Sequence, residues 1–131
     1  AYVSPFKERA AYSWAVETSI YVDENVKHKG VGRKLHEALE TVLKEQGILN
    51  MEACIGYPEE EDGYLDKNSA RFHAHMGYCM VGEFKKCGYK FDRWYNMVWM
   101  EHIIGEHQTH MAYPERFPQI RDRLKEKYGL E

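Results

Sequence analysis

The stretch "YVDENVKHKGVGRKLHEALE", residues 21–40, decides how this chain is read. It leaves a β-branched run, passes through a basic loop, crosses Gly30 and Gly32, and opens an amphipathic helix. Lys27, His28, Lys29, Arg33 and Lys34 crowd the helix start. A helix start presents unpaired backbone N–H groups and partial positive charge. Phosphate oxygens suit such a place when no side chain blocks their approach, and glycine removes the block. The stretch reads as a pyrophosphate cradle; a tight strand-to-helix turn with a solvated basic rim is the plainer alternative. It is not a P-loop, because no Ser or Thr follows Lys34. It is not a dinucleotide fingerprint either, since Leu35 stands where the third glycine belongs.

Upstream, "SWAVETSIYV" (13–22) alternates as a strand does, with Trp14, Val16, Thr18, Ile20 and Val22 on one face and Ala15, Glu17, Ser19 and Tyr21 on the other. Downstream, Val31, Leu35, Ala38, Leu39 and Val42 follow helical spacing, and Gly47 is a natural stop. "ILNMEACIGY" (48–57) is a second strand. Strand, helix and strand in one sheet predict a parallel pair with a right-handed crossover. An acidic loop, "PEEEDGYLDK", leads into a short helix over 66–76 with Asp66 as its N-cap and Gly77 as its end. Strands follow around "YCMVGEF" and "WYNMVWMEHI", joined by the turn-rich "KKCGYKFD". The tail carries Pro114 and Pro118 and then an amphipathic helix in "QIRDRLKEKYGL". The fold class is α/β, with an antiparallel pair closing the sheet.

With 131 residues, 44% apolar and 30% charged, the chain fits one soluble domain. Its net charge of −3 and the acidic "EEED" argue against nucleic acid and anionic membrane as partners, so any anion must be met by local cations. No apolar run reaches membrane-spanning length, and the first residues do not read as a secretory signal. Cys54, Cys79 and Cys87 lie apart without a CxxC, as expected for reduced thiols in a cytoplasmic protein. Seven histidines include no HExxH, and His73 and His75 point to different helix faces, so no metal is expected. The chain starts at Ala1, and "AYVSPF" reads as the end of a strand, which suggests a segment upstream.

Lys27-x-x-Gly30-x-Gly32 after a strand resembles the [Q/R]-x-x-G-x-G/A loop of the GNAT N-acetyltransferases, with Lys in the first place. "SPFKERAAYSWAVETSIYV", "DKNSARFHAHMGY" and "GYKFDRWYNMVWM" resemble, in that order, the phosphinothricin and methionine-sulfone acetyltransferase branch. The likeness runs from residue 1 to about 107. It implies a partial acetyltransferase domain over 1–107, without the family's N-terminal strands and helices, and a tail over 108–131. It also implies acetyl-coenzyme A as donor. The pyrophosphate would rest on the amides of His28, Lys29, Gly30, Val31, Gly32 and Arg33, next to Lys27. The pantetheine would run beside Ile20, Tyr21 and Val22, where that strand splays from the one around Met51 to Ile55. A backbone N–H near Tyr21 would polarise the thioester carbonyl.

The implied reaction is direct attack by the amine of a small amino-acid-like acceptor, which must first lose a proton. For an α-amine of pKa about 8, the neutral form at pH 7 is roughly a tenth of the total, a cost of about 1.4 kcal/mol. A lysine-like amine raises the cost to roughly 4.6 kcal/mol, still within what a positioned base supplies. Glu17 is the candidate base. It lies mid-strand among apolar neighbours, where burial suits a carboxyl to accepting a proton. It also falls on the branch's Tyr-x-x-x-x-Glu-x-Ser-x-Tyr-Val pattern; a strand residue facing solvent is the plain alternative. His73 lies four residues before Gly77, where many relatives carry a tyrosine that protonates the departing thiolate and this branch carries histidine. It would donate to the coenzyme sulfur or relay the amine's proton; packing on a half-buried helix is its plain alternative. Relatives show Asn-x-x-Ser at the helix cap, whereas this chain has Asp66-x-x-Ser69. An ionised Asp66 cannot donate to the pantetheine, which leaves Asn68 as the substitute beside Ser69. Tyr89, Phe91, Trp94, Tyr95 and Trp99 read as core, with Trp94 also matching a segment that borders the branch's acceptor pocket. A sheet edge left open by the missing start predicts a homodimer. A coenzyme-A-binding fragment without catalysis, or an oligomerisation module, is the rival reading.

Overall fold

The structure, a computed structural model, describes residues 2–7, 9–19, 31–60 and 67–128. Its elements are β1 (Tyr2–Pro5), a single 3₁₀ turn at Ala10–Tyr12, β2 (Ala15–Ser19), α1 (Val31–Gln46), β3 (Asn50–Tyr57), α2 (Asn68–His75), β4 (Cys79–Lys90), β5 (Arg93–Ile103) and α3 (Phe117–Tyr128). In this α/β fold the strands form one five-stranded sheet in the order β1-β2-β3-β5-β4. Residues 1–51 with 103–131 form one compact unit and residues 52–102 another.

In the first unit β1 and β2 pair antiparallel, with Ser4 opposite Glu17 and Val3 opposite Thr18. The alternation in β2 is realised: Val16 and Thr18 are buried, while Ala15 and Glu17 are half-buried. Helix α1 ends at Gly47, whose φ of +91° is open to glycine without a Cβ penalty. Ile48 N–H donates to Leu43 C=O at 3.0 Å and Gly47 N–H to Lys44 C=O at 3.1 Å, the paired bonds of a Schellman motif. The buried face of α1 is not the expected stripe. His36 and Leu43 are its fully buried residues, whereas Leu35 is exposed. In the tail, α3 packs against α1 and buries Ile120 and Leu124, each worth roughly 1.5–3 kcal/mol when fully covered.

Polar contacts fix that packing. Arg123 donates from Nε to Glu45 Oε1 at 2.5 Å and from Nη2 to Glu45 C=O at 3.0 Å, so α3 supplies a cation to the C-terminal end of α1. Lys127 Nζ lies 3.2 Å from the same carboxylate. The hydrogen bonds from Lys127 and from Arg123 Nε hold the Glu45 carboxyl below its ordinary range, against the opposing effect of desolvation. Trp14 ties the strands to the connecting tail. Its indole N–H donates to Ala112 C=O at 3.0 Å, and its ring stacks on Tyr113 at 5.0 Å. Its carbonyl accepts the N–H groups of Leu49 and Asn50 at the start of β3.

In the second unit the β4–β5 hairpin is longer than the sequence suggests. The segment read as a turn-rich connection, 85–92, is strand as far as Lys90, and the turn is only Phe91–Asp92. Both turn residues have positive φ, 55° and 57°, as a two-residue type I′ turn requires. The strand absorbs a register shift between Phe84 and Gly88, where Lys86 adopts φ 47°. Its N–H is met by the side chain of buried Asn96, Oδ1 at 2.8 Å, while Asn96 Nδ2 donates to Glu83 Oε2 at 2.7 Å. A polar residue in the middle of an apolar strand thus satisfies the donor that the bulge orphans. The aromatic block divides. Tyr95 is buried and Trp99 half-buried, as core residues, but Tyr89, Phe91 and Trp94 are exposed on the hairpin, correcting the expectation that the whole block packs inside.

Candidate functional site

Glu17 belongs to the first unit, at the centre of β2. The strand's register brings it opposite Ser4, and its side chain is half-buried rather than enclosed. In the same unit Val31, Gly32 and Arg33 form the first turn of α1, which contains no acidic residue to repel an anion. Gly32 is half-buried and Arg33 exposed. The Arg33 guanidinium donates from Nε to Glu37 Oε1 at 2.9 Å, one turn along, with both side chains largely in solvent. Ile20, Tyr21, Val22, Lys27, His28, Lys29, Gly30 and the expected cap Asp66 lie outside the described residues.

The second unit holds the histidine. Helix α2 begins at Asn68, after Lys67, which makes no side-chain cap bond. Lys67 instead places its ammonium 4.8 Å from the centre of the Tyr57 ring. The side chain of Asn68 is not among the described atoms, and Ser69 is exposed. His73 sits one turn after Ser69, is only 6% exposed, and approaches the Ser69 carbonyl with Nδ1 at 2.7 Å. A carbonyl oxygen only accepts, so Nδ1 carries the proton, and in the neutral ring Nε2 keeps its lone pair. Burial pushes the His73 pKa below its ordinary value, more strongly than the Ser69 carbonyl pulls it up. The ring is therefore neutral at physiological pH and equipped to accept a proton. Sequence reasoning left its role open between donor and acceptor. The i, i+4 spacing of Ser69 and His73 was visible, but the contact with a main-chain carbonyl was not.

Helix α2 closes as α1 does. Gly77 has φ +101°, Tyr78 N–H donates to His73 C=O at 3.0 Å, and Gly77 N–H donates to Ala74 C=O at 3.1 Å. Tyr78 then returns its ring against His73, edge-on at 4.9 Å and 83°. On β5 of the same unit Trp94 is 59% exposed, tilted against Tyr89 at 5.0 Å. Among the described residues no cluster of three His, Cys, Asp or Glu side chains could hold a metal ion, and no helix is long and apolar enough to cross a membrane.

The model of the GNAT acetyltransferase domain matches residues 1–99. The chain belongs to the GNAT acetyltransferase family. A phosphinothricin N-acetyltransferase of Streptomyces viridochromogenes is 33% identical over 97 residues, 74% of this chain and 49% of that protein. An L-methionine sulfoximine/L-methionine sulfone acetyltransferase of Pseudomonas paraeruginosa is 33% identical over 86 residues, 66% of this chain and 46% of that one. Among solved structures, a GNAT superfamily phosphinothricin acetyltransferase from Sinorhizobium meliloti, in complex with AcCoA, superposes with a TM-score of 0.71 at 29% identity, over 87% of this chain and 57% of its own. This GNAT chain spans about half the length of the relatives it matches.

Proposed function

We propose that the protein transfers an acetyl group from acetyl-coenzyme A to the amine of a small amino-acid-like acceptor. The observation that carries this reading is buried His73, its Nδ1 on the Ser69 carbonyl and its Nε2 left as acceptor, on a chain of the GNAT family. Residues 1–107 would constitute the acetyltransferase domain and 108–131 a tail docked through α3. In this reading the α1 N-terminus, with Val31, Gly32 and Arg33, receives the pyrophosphate together with Lys27, His28, Lys29 and Gly30. Ile20, Tyr21 and Val22 line the pantetheine, aided by Asn68 and Ser69, and Trp94 walls the acceptor.

Glu17 takes the first proton from the ammonium. The freed nitrogen lone pair forms the C–N bond to the thioester carbon, and the carbonyl electrons move to oxygen. As the oxyanion collapses, the C–S bond breaks and its pair leaves on sulfur. His73 Nε2 removes the second N–H proton and passes it to the thiolate, giving amide and free coenzyme A. The proton on Glu17 returns to solvent. A neutral His73 must accept before it donates, which assigns it a relay rather than an acid poised in advance.

The test is thiol release from acetyl-coenzyme A across a panel from methionine sulfone and phosphinothricin to diamines and peptides. Glu17→Gln and His73→Ala should each lower kcat by about 10²-fold or more. No release above background with any amine would overturn the assignment. A second reading, a coenzyme-A-binding module without turnover, is favoured by the candidate base Glu17 being only half-buried. It predicts a thermal shift with acetyl-coenzyme A but no thiol release. A homodimer and a cytoplasmic location complete the proposal, supported by the exposed outer strand β4 and by three cysteines that form no disulfide.

A further inference from the structure

Resting on that reading of His73, we propose that Tyr78 is its positioning residue, holding the imidazole in the tautomer and orientation that leave Nε2 available for proton transfer. Tyr78 acts on His73 in two ways at once. Its backbone N–H donates to the His73 carbonyl at 3.0 Å, closing the last turn of α2. Its ring, only 4% exposed, bears edge-on against the imidazole at 4.9 Å. With Nδ1 on the Ser69 carbonyl, the imidazole is restrained on one edge by a hydrogen bond and on its flank by an aromatic ring. Tyr78 is in turn backed by His102 of β5, whose ring lies 5.3 Å away and tilted by 38°. Gly77 leaves room for that backing: a Cβ there would come within 2.9 Å of His102 Cε1. A tyrosine immediately after the helix-ending glycine therefore sets the rotamer of a residue five positions earlier. The contact is an edge-on packing of the tyrosine ring against the imidazole.

The experiment compares wild type, Tyr78→Phe, Tyr78→Leu and Tyr78→Met. Long-range ¹H–¹⁵N spectra of ¹⁵N-histidine-labelled protein read the tautomer, and thiol release across pH reads turnover. Wild type and Tyr78→Phe are expected to hold His73 as the Nδ1–H tautomer and to agree in kcat within about twofold. Tyr78→Leu and Tyr78→Met should mix the two tautomers and move the acidic limb of the kcat profile toward higher pH. Their kcat should fall at least about fivefold, with the KM for acetyl-coenzyme A unchanged within about twofold. A bulk structural role would not move the tautomer and the acidic limb together. An Nε2–H tautomer in wild type overturns the proposal, and so does a wild-type tautomer in the ring-less variants. A Tyr78→Phe enzyme slowed about tenfold would also overturn it, and this outcome needs neither ring-less variant to fold. If the wild type releases no thiol with any amine, the acetyl-transfer assignment falls, while the nitrogen spectra still decide the role of Tyr78.

Discussion

At Gly77 the backbone takes φ +101°, and the His102 ring stands where a side chain would begin. Gly77→Ala meets two costs at once. A left-handed backbone costs an L-residue about 1–2 kcal/mol, and displacement of His102 adds to it. The expected outcome is a melting temperature lower by roughly 3–6 °C, read by calorimetry. His73, four residues earlier, carries a pH dependence whose sign follows from burial. Its folded pKa is depressed, so the unfolded imidazole takes up its proton first as pH falls. The stability associated with neutral His73 is complete above about pH 6.5 and is lost as pH drops below that value toward the folded pKa. Urea unfolding at pH 7.5 and 5.5 should show a loss for wild type that His73→Gln reduces. An equal loss in both proteins would show that this imidazole is not the linked group.

Elements differ in how plainly their residues announced them. Strand β2 was legible because one buried face imposes a period of two, and Val16 and Thr18 obey it. The end of α1 was legible because Gly47 is the residue a left-handed cap demands. The β4–β5 turn was not, because Phe91 and Asp92 occupy positive φ without the Asn-Gly pair that usually marks such turns. The bulge at Lys86 was hidden for another reason: its partner Asn96 lies ten residues away across the hairpin. Replacing Phe91-Asp92 by Asn-Gly should stabilise the protein by roughly 1 kcal/mol, measured by urea unfolding at constant m-value. The inward face of α1 was not legible at His36, since a histidine reads as polar in sequence yet is fully buried here. Helix α3 meets α1 through contacts distant in sequence, which local periodicity does not reveal. Leu124→Ala empties a fully buried position, and a loss of about 2–5 kcal/mol is expected, with faster hydrogen exchange along α3. Exchange confined to its wild-type rate would mean that α3 does not depend on this contact.

For the molecule as a whole, the α/β class and its antiparallel closing pair followed from hydrophobic periods, whereas the candidate site followed from likeness to a family. Nothing in the spacing of Glu17 or His73 distinguishes a base from a solvated carboxylate or a packed imidazole; their proton-transfer roles are proposals that rest on the likeness to the family. Assembly is a property of the same scale, and its physical argument begins at the rim of the sheet. With the order β1-β2-β3-β5-β4, β4 is an outer strand, and its residues are exposed at every position except half-buried Gly82. Met80, Val81 and Phe84 are each at least half exposed, an apolar run that a solitary edge strand rarely leaves uncovered. Beyond Phe84 the bulge and Lys85, Lys86 and Lys90 discourage further pairing, so association through this edge would stop at one partner rather than propagate. Sedimentation should therefore give twice the 15.5 kDa of one chain, without larger species as concentration rises. Val81→Lys with Phe84→Lys adds like charge to both facing edges and should return the mass to that of a single chain while the fold persists. A wild-type mass of one chain at all concentrations, or a doubly substituted protein that remains paired, would remove β4 from the account of assembly.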